Sequence, residues 1–339
     1  VAIPSAATAL TSSVSAPLLR LIDLSVEFPT ALGPARAVDR VTLDISKGEV
    51  LGMVGESGCG KSMTALAVLR LVPQPGRIVD GRVLLDERDL LAAPPVALQG
   101  VRGKRIAMIF QEPMTALNPV ITVGEQIAEM IRLHLRLSRA AAKTRTIELL
   151  RLVGIPSPDK RWSDYPHQLS GGMRQRVMIA MAISCDPDLV FADEPTTALD
   201  VTVQAQILDL LADLRERLGM AMVLISHNLG VIAQVAHRVV VMYAGRIVEE
   251  TTTGRLFADP RHPYTQGLLA SLPPADLRRG RPRRLSAIPG TVPTLGAIPG
   301  GCAFAPRCPL VMDRCTQDPP LIPTRADHRA RCWLVEPGS

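Results

Sequence analysis

Apolar positions along the chain follow two rhythms. Compact runs rich in Val, Ile, Leu and Met read as strands at Leu19–Phe28, Val41–Ile45, Glu49–Val54, Ile106–Phe110, Leu189–Ala192 and Ala221–Ser226. Between them, apolar residues recur with helical spacing over Lys61–Leu71, Thr122–Leu137, Arg139–Gly154, Gly171–Ser184, Val201–Leu218 and Asn228–Ala236. Gly154 stops the second of the paired middle helices. Strands alternating with helices predict an α/β sheet with helices packed around it. A purely helical stretch, residues 112–170, interrupts the alternation and reads as an inserted subdomain.

The pattern divides the chain into a flexible Ala/Ser/Thr-rich start (1–17), a main α/β domain (18–255) and a C-terminal extension (256–339). The last boundary is a change of composition, because 14 of the 29 prolines fall in 256–339 and leave room for few regular elements. Ala-Ile-Pro-Gly occurs at 287–290 and again at 297–300, which reads as an extended linker. At 47% hydrophobic and 21% charged residues, the chain has globular composition and ample material for a large core. Mean hydropathy is +0.19, so membrane spans need checking. The two long charge-free stretches, Val1–Leu19 and Ser286–Pro306, are broken by proline and fall short of the ~20 apolar residues a spanning helix needs. The start has no basic and then apolar pattern of a signal peptide. A cytosolic chain able to dock on a membrane protein is expected.

Net charge is +6, and nearly all of the excess lies in 256–339, with eleven Arg, no Lys and six acids. Arg278, Arg279, Arg281, Arg283 and Arg284 form a run. It reads as a solvated linker, with lipid headgroups or an acidic partner loop as alternatives. Nucleic acid is not expected, since no aromatic residues interleave for base stacking.

Gly55-Glu56-Ser57-Gly58-Cys59-Gly60-Lys61-Ser62 follows one predicted strand and opens a helix, the context a P-loop requires. Its backbone N–H groups would ring phosphates, helped by the positive helix end. Lys61 would meet the β/γ-phosphates and Ser62 would ligate Mg²⁺. Cys59 occupies a variable loop position and reads as a small filler. Leu189–Ala192 ends in Asp193 and Glu194; Asp193 suits a Mg²⁺ ligand, and Glu194 a base that orients and deprotonates water. Gln111 ends another strand, where an amide could reach the metal and the water. His227 ends a third, in position to bond a γ-phosphate. Ser170, Gly171 and Gly172 precede a helix and would face an anion.

In this order, the P-loop, Gln111, Ser170-Gly-Gly, Asp193-Glu194, Thr197-Ala-Leu-Asp200 and His227 resemble the ABC ATPase family over Leu18–Glu250. The resemblance implies ATP and Mg²⁺, and makes Phe28 the aromatic that stacks on adenine. It also implies a head-to-tail pair of ATPase subunits, with Ser170 and Gly172 acting in trans and Asp200 at the seam. Gln111-Glu-Pro-Met-Thr-Ala-Leu-Asn-Pro119 and Ser170-Gly-Gly-Met173, with the tail motifs His262-Pro-Tyr-Thr265, Ile288-Pro-Gly290 and Gly301–Pro309, resemble the oligopeptide/dipeptide importer branch. That branch implies a paralogous second ATPase, two permeases that dock on the helical insertion, and an extracytoplasmic solute-binding protein. It places the chain peripherally on the cytoplasmic face of the inner membrane. Nickel chelates and other small solutes are alternative cargoes. A soluble ABC protein of repair or translation is the competing class, although such proteins usually carry coiled-coil insertions or two ATPase units.

Cys302, Cys308, Cys315 and Cys332 crowd the C-terminus with loose spacing. Reduced compartments disfavour disulfides, and the tight pairs of zinc modules are absent. Four such thiolates suit an iron–sulfur cubane, with zinc or unligated thiols as alternatives. His328 could serve as a zinc ligand but reads as an exposed polar residue. The branch resemblance favours [4Fe–4S]. The expected architecture is a P-loop ABC ATPase core of α/β class, an inserted helical subdomain and a loop-rich metal-cluster extension.

Overall fold

The computed structural model describes residues 16–197, 199–272 and 287–335. Most of the expected flexible start and the arginine run lie outside the described residues. The chain opens with a hairpin, β1 (Leu19–Thr30) and β2 (Gly33–Ile45), followed by β3 (Val50–Val54) and α1 (Lys61–Val68). Next come β4 (Arg77–Leu85), β5 (Arg88–Asp89), α2 (Pro95–Gln99) and β6 (Ile106–Ile109). Four consecutive helices follow: α3 (Pro113–Ala116), α4 (Val123–Leu135), α5 (Arg139–Leu152) and α6 (Pro158–Arg161). Thr122 and Ser138 cap α4 and α5 through their hydroxyls, and Arg136 in the left-handed region ends α4. Then α7 (Gly171–Ala182), β7 (Leu189–Asp193), α8 (Val201–Leu218), β8 (Ala221–Ser226) and α9 (Leu229–Val235) restore the alternation. The chain closes with β9 (Arg238–Tyr243), β10 (Arg246–Thr252), α10 (Thr253–Ala258), α11 (Pro263–Ala270), β11 (Ile322–Arg325) and β12 (His328–Ala330).

An antiparallel sheet has the order β2-β1-β4-β5, and an eight-stranded mixed sheet the order β11-β12-β10-β9-β3-β8-β7-β6. From β9 to β6 the larger sheet is parallel. Its central strands are buried along their whole length because both faces are covered. The pleat divides them strictly. Val50, Val54, Val190, Ala192, Met222 and Leu224 enter the layer under the helical insertion, α7 and α9. Leu51, Met53, Leu189, Phe191, Val223 and Ile225 enter the layer shared with α1 and the antiparallel sheet. Gly52 lets α9 approach, since a Cβ there would lie 2.5 Å from Ile232 Cγ2.

Two regions of strand carry patterns too weak to predict strands from sequence. Arg77–Leu85 is largely exposed along its first half. The β9–β10 hairpin turns at Ala244 and Gly245, both with positive φ, and an Ala-Gly pair is a faint turn signal. The boundary expected at 255/256 falls inside α10. The extension also continues the main sheet, for β12 pairs with β10 through Glu249↔Ala330 and Thr251↔His328. His328, expected to be exposed, is buried, and its Nε2 lies 2.7 Å from Glu249 Oε1. Glu249 is itself fully buried and also accepts the backbone N–H groups of Arg261 (2.7 Å) and His262 (2.9 Å). No helix among the described residues is long and apolar enough to cross a membrane.

Candidate active site

The loop Gly55–Ser62 leaves the buried end of β3 and feeds α1, so the helix axis points at the loop's concavity. Its curvature demands glycine at two places in particular. A Cβ on Gly55 (φ +152°) would lie 2.2 Å from Met242 O, and one on Gly60 (φ +102°) 2.6 Å from Ala37 O. Lys61 is buried, and its Nζ bridges the loop by donating to Gly55 O (2.8 Å) and Glu56 O (3.0 Å). The loop lines a cleft of about 770 Å³ with Gln111, Glu194 and His227, with Thr197 of the Thr197–Asp200 motif, and with Ala37 and Leu268, which carry no motif signal. Cys59 is fully buried beneath the loop and outside the lining, as suits a filler. Burial pushes its thiol pKa up, against the pull of Lys61.

Three strand ends deliver the polar groups. Ser62 Oγ donates to Asp193 Oδ1 at 2.9 Å across the end of β7. Burial raises the Asp193 pKa, opposed by that bond. These two hard oxygens stand side by side at the loop's lysine, a donor set that fits Mg²⁺. Glu194 follows in the left-handed region (φ +45°), with its N–H bonded to Ile225 O at 3.0 Å. This backbone turn aims the carboxylate into the cleft, where three neighbours hold it. Thr197 Oγ1 donates at 2.8 Å, Gln111 Nε2 donates at 3.2 Å, and His227 Nδ1 lies at 3.1 Å. Burial works to raise the Glu194 pKa, but the bonds from His227 and Thr197 prevail and hold it below the ordinary carboxylate value. The group is an ionised, oriented acceptor at neutral pH. Gln111 reaches Glu194 and makes no bond to Asp193.

The second set of motif residues lies outside the cleft. Ser170 caps α7, accepting Met173 N–H, and Asp200 caps α8, accepting Val203 N–H at 2.9 Å. Gly171 and Gly172 begin α7 beside Leu199 and Val203, where a Cβ on Gly172 would meet Val203 Cγ1 at 3.0 Å. Ser170, Gly171 and Asp200 are exposed. The chain therefore presents this surface outward and does not fold it onto its own P-loop. Phe28 is not among the cleft residues either. It lies on β1 opposite Ala35, with its ring against Gly76, where an added Cβ would come within 2.4 Å.

The C-terminal segment reaches the loop. Tyr264 Oη accepts Glu56 N–H at 2.9 Å, and Arg307 pairs with the Glu56 carboxylate. Phe304 packs at 5.3 and 5.4 Å from the rings of Tyr243 and Tyr264. The four C-terminal cysteines are free thiols, and Cys302 N–H donates to Cys315 O at 2.9 Å. Burial, then the other three thiols, pushes Cys332 up to about 11. Among the described residues, no group of three or more His, Cys, Asp or Glu is disposed to hold a metal ion. The arrangement thus goes no further than neighbouring thiols, and His328, engaged by Glu249, is removed as a zinc ligand.

Comparison with known proteins identifies the family. Residues 38–197 match the family model for the ABC transporter, and 248–315 match that for the oligopeptide/dipeptide transporter, C-terminal region. A probable peptide ABC transporter ATP-binding protein, y4tR of Sinorhizobium fredii, is 52% identical over 318 residues, covering 93% of this chain and 94% of that protein. The oligopeptide transport ATP-binding protein AppD of Bacillus subtilis is 48% identical, covering 94% of this chain and 97% of its own length. Among solved structures, the dimeric post-hydrolysis ATP-binding cassette MJ0796 bound to ADP and Pi superposes with a TM-score of 0.61 at 26% identity. It covers 69% of this chain and 98% of that one.

Proposed function

This chain belongs to the oligopeptide/dipeptide branch of the ABC transporter ATP-binding proteins, and from that premise we propose that it is the ATP-hydrolysing subunit powering import of di- or oligopeptides. The observation that carries the catalytic reading is the Glu194 carboxylate, ionised and held by Thr197, Gln111 and His227 at the mouth of the P-loop cleft. Glu194 orients the attacking water and takes its proton. His227 and Gln111 bear on the γ-phosphate and the water, and Lys61 with the loop N–H groups holds the β/γ-phosphates. Ser62 and Asp193 would hold Mg²⁺, with Gln111 joining them only on releasing Glu194, and the ion would supply charge neutralisation for the phosphates. Ala37, Met63 and Leu268 are apolar groups of the cleft available to the base, whereas Phe28 is not among the cleft residues.

The outward-facing Ser170, Gly171, Gly172 and Asp200 complete the site of a second ATPase subunit, and that subunit completes this one. The dimeric form of the superposed cassette supports this. Closure of the pair around ATP moves helices α3–α6 and with them two permeases, and hydrolysis reopens it. An extracytoplasmic binding protein delivers the peptide, and the chain works peripherally at the inner-membrane face. Glu194→Gln in the assembled transporter removes turnover while ATP still closes the dimer; retained turnover defeats the base assignment. The importer reading is tested by the proteins that co-purify with this chain from solubilised membranes. Two permeases, a related ATPase and a peptide-binding protein are expected, whereas recovery with nucleic acid or ribosomes overturns it.

A second reading concerns the four C-terminal cysteines. Neighbouring thiols that raise one another's pKa are a set that a cationic group would discharge. An iron–sulfur cluster there is tested by iron content after anaerobic purification, expected at about four per chain; one zinc or no metal overturns it.

A further inference from the structure

Glu56 is out of place by charge, since it puts a carboxylate second in a loop whose N–H groups are turned toward phosphate. The structure answers that charge from 251 residues further along the chain. Arg307 Nη1 donates to Glu56 Oε2 at 2.7 Å and Nη2 to Oε1 at 3.0 Å, a bidentate fork. Its Nε donates to Pro289 O at 2.9 Å, and Nη1 also reaches Tyr243 Oη at 3.4 Å. The Arg307 side chain is 5% exposed and that of Glu56 31%, so this is not a solvated surface pair.

Glu56 carries two further restraints. Tyr264 Oη accepts its N–H at 2.9 Å, and its carbonyl accepts Lys61 Nζ at 3.0 Å. One loop residue thus joins the phosphate-binding lysine to two side chains from beyond residue 256. The short turn Ala305–Arg307 that presents the guanidinium is seated by Phe304 on the Tyr243 and Tyr264 rings. Removing Arg307 would leave an unpaired, half-buried carboxylate on the phosphate loop, on the residue whose carbonyl accepts Lys61 Nζ.

We propose that Arg307 is a positioning residue for ATP binding: it neutralises and fixes Glu56, so that the C-terminal segment sets the nucleotide affinity of the P-loop in cis. The inference rests on the reading that Gly55–Ser62 holds ATP. Lys61→Ala tests that reading separately: if ATP affinity survives Lys61→Ala, the P-loop reading falls first.

The experiment measures KM and kcat for ATP in the assembled transporter carrying Arg307→Gln, Arg307→Lys and the double variant Glu56→Gln/Arg307→Gln. Arg307→Gln is expected to raise KM about tenfold with kcat nearly unchanged. Arg307→Lys restores the charge without the fork and recovers part of the loss. The double variant returns KM to within about threefold of the parent, because no carboxylate is left to neutralise. An unchanged KM in Arg307→Gln, with Lys61→Ala defective, overturns the inference alone. A double variant as impaired as Arg307→Gln also overturns it, since a purely structural arginine is not rescued by changing Glu56. Should Arg307→Gln fail to assemble, Tyr264→Phe deletes only the hydroxyl that accepts Glu56 N–H. A KM rise of about two- to fivefold is expected there, and no change overturns the proposal.

Discussion

The parallel core and the segment 287–335 are joined in one sheet but held by different forces. Strands β3, β7 and β8 are covered on both faces, and their stability comes from apolar layers that need no particular geometry. The C-terminal segment buries few apolar side chains, Phe304 and Ala330 among them. It is fastened instead by directional contacts: His328 to Glu249, Arg307 to Glu56, and Asp318 to Arg40 and Arg246. Burial tolerates changes of pH and partner, whereas hydrogen-bonded charge does not. A segment fastened in this way can report on a site; a layered core can only carry one.

The largest test sets one phenylalanine against another. Phe191→Ala opens a hole between the main sheet and its neighbours and should cost about 3–5 kcal/mol of global stability, read as a lowered midpoint in denaturant. Phe304→Ala removes a comparable ring, but exchange protection should fall chiefly over 287–335, with β3 and β8 still protected. Equal loss of protection everywhere would break the distinction between the two regions.

A pH titration sharpens it. His262, buried and accepting Tyr264 N–H through Nδ1, is lowered to about 4, first by desolvation. Its ordinary value is 6.5, so below that pH the unfolded chain binds the proton more readily. The stability that the neutral ring provides is complete above about pH 6.5 and is lost as pH falls toward 4, by about 3 kcal/mol at most. His262→Asn, which keeps an acceptor at the cap, should flatten this part of the stability profile in thermal melts at pH 7, 5.5 and 4.

Smaller effects follow at the surface. Ser170→Ala removes the α7 cap and should cost about 1 kcal/mol in the isolated chain. In the assembled transporter its ATPase should fall further than that loss accounts for if, as proposed, the same hydroxyl serves the second nucleotide. If turnover falls only in step with stability, the residue is a cap alone. Arg217→Ala breaks an exposed pair with Asp213 on α8 and should change the melting free energy by no more than about 0.5 kcal/mol.

Much of this protein is legible in the order of its residues. The P-loop, the acidic strand end and the helix Val201–Leu218, bounded by Asp200 and Gly219, are local statements, in which contiguous residues specify both conformation and chemistry. Thr197 opens the Thr197–Asp200 motif, but nothing local signals that its hydroxyl binds Glu194. The exposed half of β4 and the β9–β10 hairpin escaped because their strands are defined by neighbours more than by their own pattern. The buried His328 and the Glu56–Arg307 pair escaped for a stronger reason. A lone histidine or arginine carries no local signal of its partner, and the partners lie 79 and 251 residues away. The sequence by itself therefore determined the phosphate chemistry, the strand–helix alternation and the family. Only the tertiary structure decided that a proline-rich tail closes on the nucleotide loop, because charge pairing across that distance depends on where the sheet brings the two segments together.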